Sequence, residues 1–70
     1  MHRFLIVIEK ASKNYSAYCP DLPGCVATGK TQKEAKKNMY KAIEIHLNGL
    51  AEDNLVIPES HAVAEYVAVR

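Results

Sequence analysis

Several residue types are scarce in this seventy-residue chain, and each scarcity narrows the class of protein. The chain has no tryptophan, one phenylalanine, three glycines, three prolines and two cysteines. Two cysteines are too few for the disulfide framework of a small secreted domain, and the three histidines show no zinc-ligand spacing. We expect no metal or other cofactor. We also expect reduced, buried thiols at Cys19 and Cys25, although their spacing allows a disulfide across a hairpin.

A large excess of charge and long apolar runs are missing as well. The formal net charge is only +1, so no global field attracts nucleic acid or an anionic membrane. No apolar run approaches the roughly 20 residues of a membrane span, and residues 4–8 are too few for a signal-peptide core. The sequence therefore predicts a soluble cytoplasmic protein that binds neither membrane nor nucleic acid directly.

What the chain has in quantity is apolar side chains. They make up 49% of the residues. A domain of this size buries only about 60% of the surface of its unfolded chain, so its own core is small. We expect a second subunit to cover the surplus apolar surface, in a homodimer or a higher homo-oligomer.

The apolar segments predict one α+β domain over residues 1–70, with the element order βββαβ. Residues 4–8 are apolar on both sides of the pleat, which is typical of a central strand covered on both faces. Residues 15–19 and 25–28 follow as antiparallel strands of a three-stranded meander, and residues 62–69 form a fourth strand after the helix. One helix covers only one face of this sheet.

The helix begins with a recognisable signal. Thr31 and Glu34 have the spacing of a capping box, in which each side chain accepts from a free backbone amide of the first turn. The apolar spacing that follows predicts a helix ending near Ala51 or Glu52, with Asn54 as a left-handed terminator.

A constrained corner separates the second and third predicted strands. Pro20 and Pro23 fix their own φ angles, and Gly24 can adopt a conformation that other residues resist. Asp21 is expected to bond backbone amides two residues further on. The corner is either a rigid connection or a presented recognition loop. In the second case the contact residues would be Tyr18, Asp21 and Leu22.

Catalytic interpretations find little support in the sequence. A two-metal nuclease needs several converging carboxylates. Glu34 is best explained as a helix-capping residue and Asp21 as a turn residue. Of the carboxylates, only Glu9 and Glu65 fall on predicted strands. A cysteine beside a histidine could act as a nucleophile, but packed thiols explain the same residues. We therefore expect a protein that is not an enzyme.

Five lysines give the first half of the helix a basic face: Lys30, Lys33, Lys36, Lys37 and Lys41. They could bind phosphate or a partner. Because no arginine or aromatic residue is interleaved with them, a solvated face is the favoured interpretation.

The chain resembles the HicB-like antitoxin family. The resemblance rests on the run from Tyr18 to Cys25, on Gly29-Lys30-Thr31 with Glu34-Ala35, and on Ile57-Pro58 after the helix. It covers nearly the whole chain. It implies a degenerate ribonuclease-H-like fold that lacks the nuclease site.

The resemblance also implies a function. Members typically bind and block a HicA-type toxin, a small basic protein that cleaves mRNA. The chain is similar to a short, single-domain member without the C-terminal DNA-binding domain that many members carry. The alternative is an orphan domain of the same fold that binds another protein or a small ligand and has no toxin partner.

Overall fold

The computed structural model describes residues 2–70 and contains one antiparallel sheet with one long helix packed on it. The strands are β1 (Val7–Lys10), β2 (Tyr15–Tyr18) and β3 (Val26–Gly29), and the helix is α1 (Gln32–Glu52). The strands lie in the order β1-β2-β3, and each neighbouring pair is antiparallel. The predicted α+β class, with a three-stranded meander followed by a helix, is confirmed.

The first strand differs from its prediction in extent and position. Its ladder begins at Val7, opposite Tyr18, because β2 ends there and leaves residues 4–6 without a pairing partner. In the described chain β1 lies at an edge of the sheet, and β2 is the central strand. The prediction of a central first strand is therefore wrong for the single chain. Phe4, Ile6 and Ile8 pack against the core, and Leu5 and Val7 lie on the opposite side of the extended chain.

The core lies between the sheet and one face of the helix. Its buried side chains come from β2, the corner and the helix: Ala17, Cys19, Leu22, Cys25, Ala35 and Met39. The helix packs mainly on β3 and β2 and contacts β1 least. Gly29 permits the closest approach, since a Cβ atom there would lie 2.8 Å from Cα of Ala35.

Both ends of the helix are capped. Thr31 Oγ1 accepts a hydrogen bond from the Glu34 amide at 3.1 Å, and the Glu34 carboxylate accepts one from the Lys30 amide at 2.9 Å. The carboxylate thus reaches one residue further back than in a standard capping box. The helix ends at Glu52, and Asn54 has a φ of 55°, which confirms the predicted left-handed terminator.

The predicted fourth strand is not formed. Residues 55–70 are described, but none of them belongs to a strand ladder. A strand needs a neighbour to satisfy its amides and carbonyls, and this segment lies beside no free sheet edge of its own chain. Within residues 2–70, no helix is both long and apolar enough to cross a bilayer.

Candidate protein-binding surface

The corner between β2 and β3 consists of two consecutive tight turns over residues 19–25. The Leu22 amide donates to the Cys19 carbonyl, and the Cys25 amide donates to the Leu22 carbonyl, each at 3.1 Å. A proline occupies the second position of each turn, where its fixed φ is favourable. Gly24 follows Pro23 with a φ of 81°, as a type II turn requires. The sequence therefore specifies a rigid corner.

Three side chains of the corner point into the core. Cys19, Leu22 and Cys25 are buried, and Leu22 has no exposed surface at all. Leu22 is therefore an anchor of the corner, and the prediction that it is a contact residue is wrong for the single chain because its side chain offers no surface to a partner. The outward part of the corner is Pro20, Pro23 and Gly24, all exposed.

The two cysteines are free thiols in this setting. Burial raises the pKa of the Cys25 thiol, and the neighbouring Cys19 raises it further. A nucleophilic cysteine needs a lowered pKa and access to solvent. Both properties of Cys25 favour a packing role over a catalytic one.

Asp21 has a different bonding partner from the one predicted. Its Oδ2 accepts hydrogen bonds from the backbone amides of His61 at 3.2 Å and Ala62 at 3.1 Å. The expected bond to an amide two residues further on is not formed, because that residue is Pro23, which has no backbone N–H. The half-buried carboxylate instead ties the chain beyond the helix to the corner. Sequence spacing could not reveal this, because the partners lie 40 and 41 residues away.

An apolar stripe crosses the sheet on the face away from the helix. Tyr18 is paired with Val7 on one side and with Val26 on the other. Residues directly opposite each other on neighbouring strands lie on the same face of the sheet. Ala17, which precedes Tyr18 on β2, lies on the other face and is buried in the core. Tyr18 is 41% exposed and Val26 64% exposed. Sequence analysis identified Tyr18 but missed Val7 and Val26, which the strand register alone places beside it.

Charge is distributed unevenly between the two ends of the molecule. Lys10, Lys13, Lys30 and Lys33 line a shallow cleft near the start of the helix. The stripe and the corner lie at the opposite end of the short sheet, where Val7, Tyr18 and Val26 are paired. The helix passes the corner at Ala42 and ends in the acidic pair Glu52 and Asp53. A basic partner would therefore meet less repulsion at the stripe than at the lysine cleft.

The described residues do not form a metal centre. Among residues 2–70, no three His, Cys, Asp or Glu side chains lie close enough together to hold an ion. His61 lies 3.6 Å from the Glu59 carboxylate, and both side chains are largely exposed. The most organised part of the surface is thus the stripe with the corner, which offers shape and apolar area for binding.

Comparison with known proteins points to one family. The profile of the HicB-like antitoxin of bacterial toxin-antitoxin systems matches residues 4–70. A 14.9 kDa protein of Haemophilus phage HP1 is 39% identical over 62 residues, which are 89% of this chain and 47% of that protein. A UPF0150 protein of Helicobacter pylori is 47% identical over 49 residues, which are 70% of this chain and 68% of that protein.

The fold has a counterpart among solved structures. A chain of the HicA3 and HicB3 toxin-antitoxin complex superposes with a TM-score of 0.62 and 28% sequence identity. The match covers 77% of this chain and 66% of that one. The present chain spans about half the length of the phage protein. The family match over nearly the whole chain is decisive, and the chain belongs to the family of HicB-like antitoxins of bacterial toxin-antitoxin systems.

Proposed function

We propose that this chain binds a HicA-type toxin through the apolar stripe and the outward side of the corner, and blocks the toxin's active site by covering it. The observation that carries the proposal is the row of half-buried Val7 and exposed Tyr18 and Val26 beside a corner fixed by two prolines. Tyrosine is enriched in protein interfaces because it combines apolar area with a hydroxyl group. A rigid surface also loses little conformational entropy when it binds.

Electrostatics supports the choice of surface. A toxin that binds RNA is expected to be basic, and the lysine cleft would repel it. The stripe carries no lysine, and Glu9 lies on the same strand face two residues after Val7. We therefore place the toxin at the stripe end of the sheet.

We propose further that the protein acts by binding and not by catalysis. Hydrolysis by two metal ions requires carboxylates that hold both ions about 4 Å apart. Here Glu34 caps the helix and Asp21 binds the amides beyond it, so two of the carboxylates already have structural roles. We regard the sheet and helix as the remainder of a ribonuclease-H-like fold without its nuclease centre. Its place of action would be the cytoplasm, where mRNA is cleaved.

We also propose that the chain forms a homo-oligomer. Several large apolar side chains are exposed in the single chain, among them Val63, Val67 and Val69 in the segment after the helix. Exposed apolar side chains this numerous in so short a segment favour a contact with another protein.

The binding proposal is tested by calorimetric titration of the chain with a HicA-type toxin, which we expect to be encoded beside its gene. Val26→Lys places a positive charge in the stripe, and Tyr18→Ala removes its central ring. We expect each to weaken binding at least tenfold, while Val56→Lys, at a position 89% exposed and outside the stripe, changes it less than twofold. Absence of binding by the unmodified chain, or unchanged affinity of Val26→Lys, would overturn the proposal.

A further inference from the structure

The segment after the helix is extended and stands clear of the body of the protein. Val63, Tyr66, Val67 and Val69 are each at least 79% exposed. The radius of gyration is 13.6 Å. A compact chain of this length would have a radius of gyration of about 11 Å. The excess shows that part of the chain projects outward.

This C-terminal segment, residues 62–69, nevertheless has the composition of a strand. Valines at positions 63, 67 and 69 share one side of an extended chain with Glu65, and the other side carries alanines and Tyr66. Valine and tyrosine favour strands. The bonds from His61 and Ala62 to Asp21 fix the point at which the segment leaves the body. The segment is thus a tethered strand without a neighbour.

A strand edge without a neighbour also exists on the same chain. The outer edge of β1 is free in the described sheet. Phe4, Ile6 and Ile8 pack toward the helix, whereas Leu5 and Val7 are half-buried on the other face. Such a two-sided apolar pattern is typical of a strand whose two faces are both covered, whereas the helix covers only one face here.

A groove lies between the helix and residues 2–6, the segment that leads into β1. Its volume is about 480 Å³. Phe4 and Ile6 form one wall, and Tyr40, Ile43 and Leu47 of the helix form the other. Arg3, Lys36 and Glu44 also line the groove, so two cationic side chains and one carboxylate surround its apolar floor. The C-terminal segment carries side chains that match this groove, namely three valines for the apolar floor and the carboxylate of Glu65 for the cationic side chains.

We propose that the C-terminal segment of one chain adds as a strand to the free edge of β1 in a second copy, and that the exchange is reciprocal. The valine side would enter the groove of the partner copy, and Glu65 would lie near Arg3 and Lys36 of that copy. β1 would then become an inner strand with a paired neighbour on each edge. The exchange would also hide two unpaired edges that otherwise promote aggregation. The inference rests on the homo-oligomer proposed above and is independent of toxin binding.

The first test is the mass of the chain in solution without toxin, measured by light scattering or sedimentation equilibrium. We expect a mass of twice 7.8 kDa for the unmodified chain. Val67→Lys, in the segment, should raise the dimer dissociation constant at least a hundredfold, and Val56→Lys, outside it, less than threefold. A monomeric unmodified chain, or a Val67→Lys variant that dimerises normally, would overturn the proposal.

The second test separates exchange between chains from contact within one chain. Glu65→Arg alone, and Arg3→Glu with Lys36→Glu in one chain, each place like charges at the contact and should yield monomers. A mixture of the two variants restores opposite charges in both grooves and should yield a heterodimer. Glu52→Arg, an exposed charge reversal at the helix end, should dimerise normally. A mixture that stays monomeric while both variants are folded contradicts the reciprocal exchange.

Discussion

The carboxylate of Asp21 accepts a hydrogen bond from the backbone amide of Ala62 at 3.1 Å and joins the corner to the chain beyond the helix. One side chain thereby holds two parts of the fold that are 41 residues apart. The same aspartate was expected to stabilise only its own turn, where backbone bonds between Cys19, Leu22 and Cys25 already close the loop.

Replacing Asp21 should release the C-terminal segment without unfolding the domain. Asp21→Ala removes the acceptor of both amides, and we expect their protection from hydrogen exchange to disappear, with a loss of about 1 kcal/mol in the free energy of unfolding. NMR-detected exchange at His61 and Ala62 measures this. Asp53→Ala, which removes an exposed carboxylate at the helix end, is the control and should leave both amides protected. Persistent protection in Asp21→Ala would show that other contacts hold the segment.

Gly29 should tolerate no side chain. Gly29→Ala places a Cβ atom 2.8 Å from Cα of Ala35, so the helix must shift away from β3. We expect the free energy of unfolding to fall by about 2–3 kcal/mol, as in other overpacked sites. Urea denaturation followed by circular dichroism is the measurement.

Gly49 provides the matched control for that substitution. A Cβ atom there meets nothing within 4 Å, and the residue lies inside the helix. Gly49→Ala should therefore raise the free energy of unfolding by up to about 1 kcal/mol, since alanine is the better helix former. Equal effects of the two substitutions would contradict the close contact at Gly29.

Leu22 should behave as a core residue. It is fully buried, and Leu22→Ala should lower the free energy of unfolding by about 2–5 kcal/mol through lost apolar contacts and the cavity left behind. Val26→Ala, on the exposed stripe, should change it by less than about 0.5 kcal/mol. Thermal and urea unfolding of both variants measure this difference in the free energy of unfolding. A stable Leu22→Ala variant would argue against the anchoring role of the corner.

Stability should decline in mildly alkaline solution because of Cys25. Burial raises the pKa of its thiol in the folded state, so the unfolded chain releases this proton at a lower pH than the folded chain does. Above the ordinary thiol pKa of about 8.5, the unfolded state then binds fewer protons, and the free energy of unfolding falls as pH rises. The stabilisation that the protonated Cys25 thiol contributes is fully present below the pKa of the unfolded-state thiol. It is lost as pH rises through the higher pKa of the folded state.

Urea unfolding between pH 7 and pH 10 in the presence of a reducing agent measures this effect. Cys25→Ala should show a smaller decline over that range than the unmodified chain. Identical pH dependence in the two proteins would mean that other groups cause the decline.

Local signals in the sequence predicted local structure well. The caps at Thr31 and Asn54 and the proline-bracketed corner were all identified, because each depends on neighbours a few residues away. The long-range relationships were not predictable in the same way. The bonding of Asp21 to Ala62 and the alignment of Val7, Tyr18 and Val26 depend on tertiary placement and strand register. The apolar pattern of residues 4–8 predicted a strand of which only Val7 and Ile8 are paired, and that of residues 62–69 predicted a strand that the single chain does not form, because strand pairing depends on a neighbour that local sequence does not specify.

The most direct test of the antitoxin account is RNA cleavage by a HicA-type toxin, which we expect to be encoded beside the gene for this chain, titrated with increasing amounts of the purified chain. We predict that cleavage falls in proportion to the added chain and ceases near one binding site per toxin. The stripe variant Val26→Lys should require at least tenfold more protein, and Val56→Lys should match the unmodified chain. Full cleavage in the presence of excess folded chain would contradict the account.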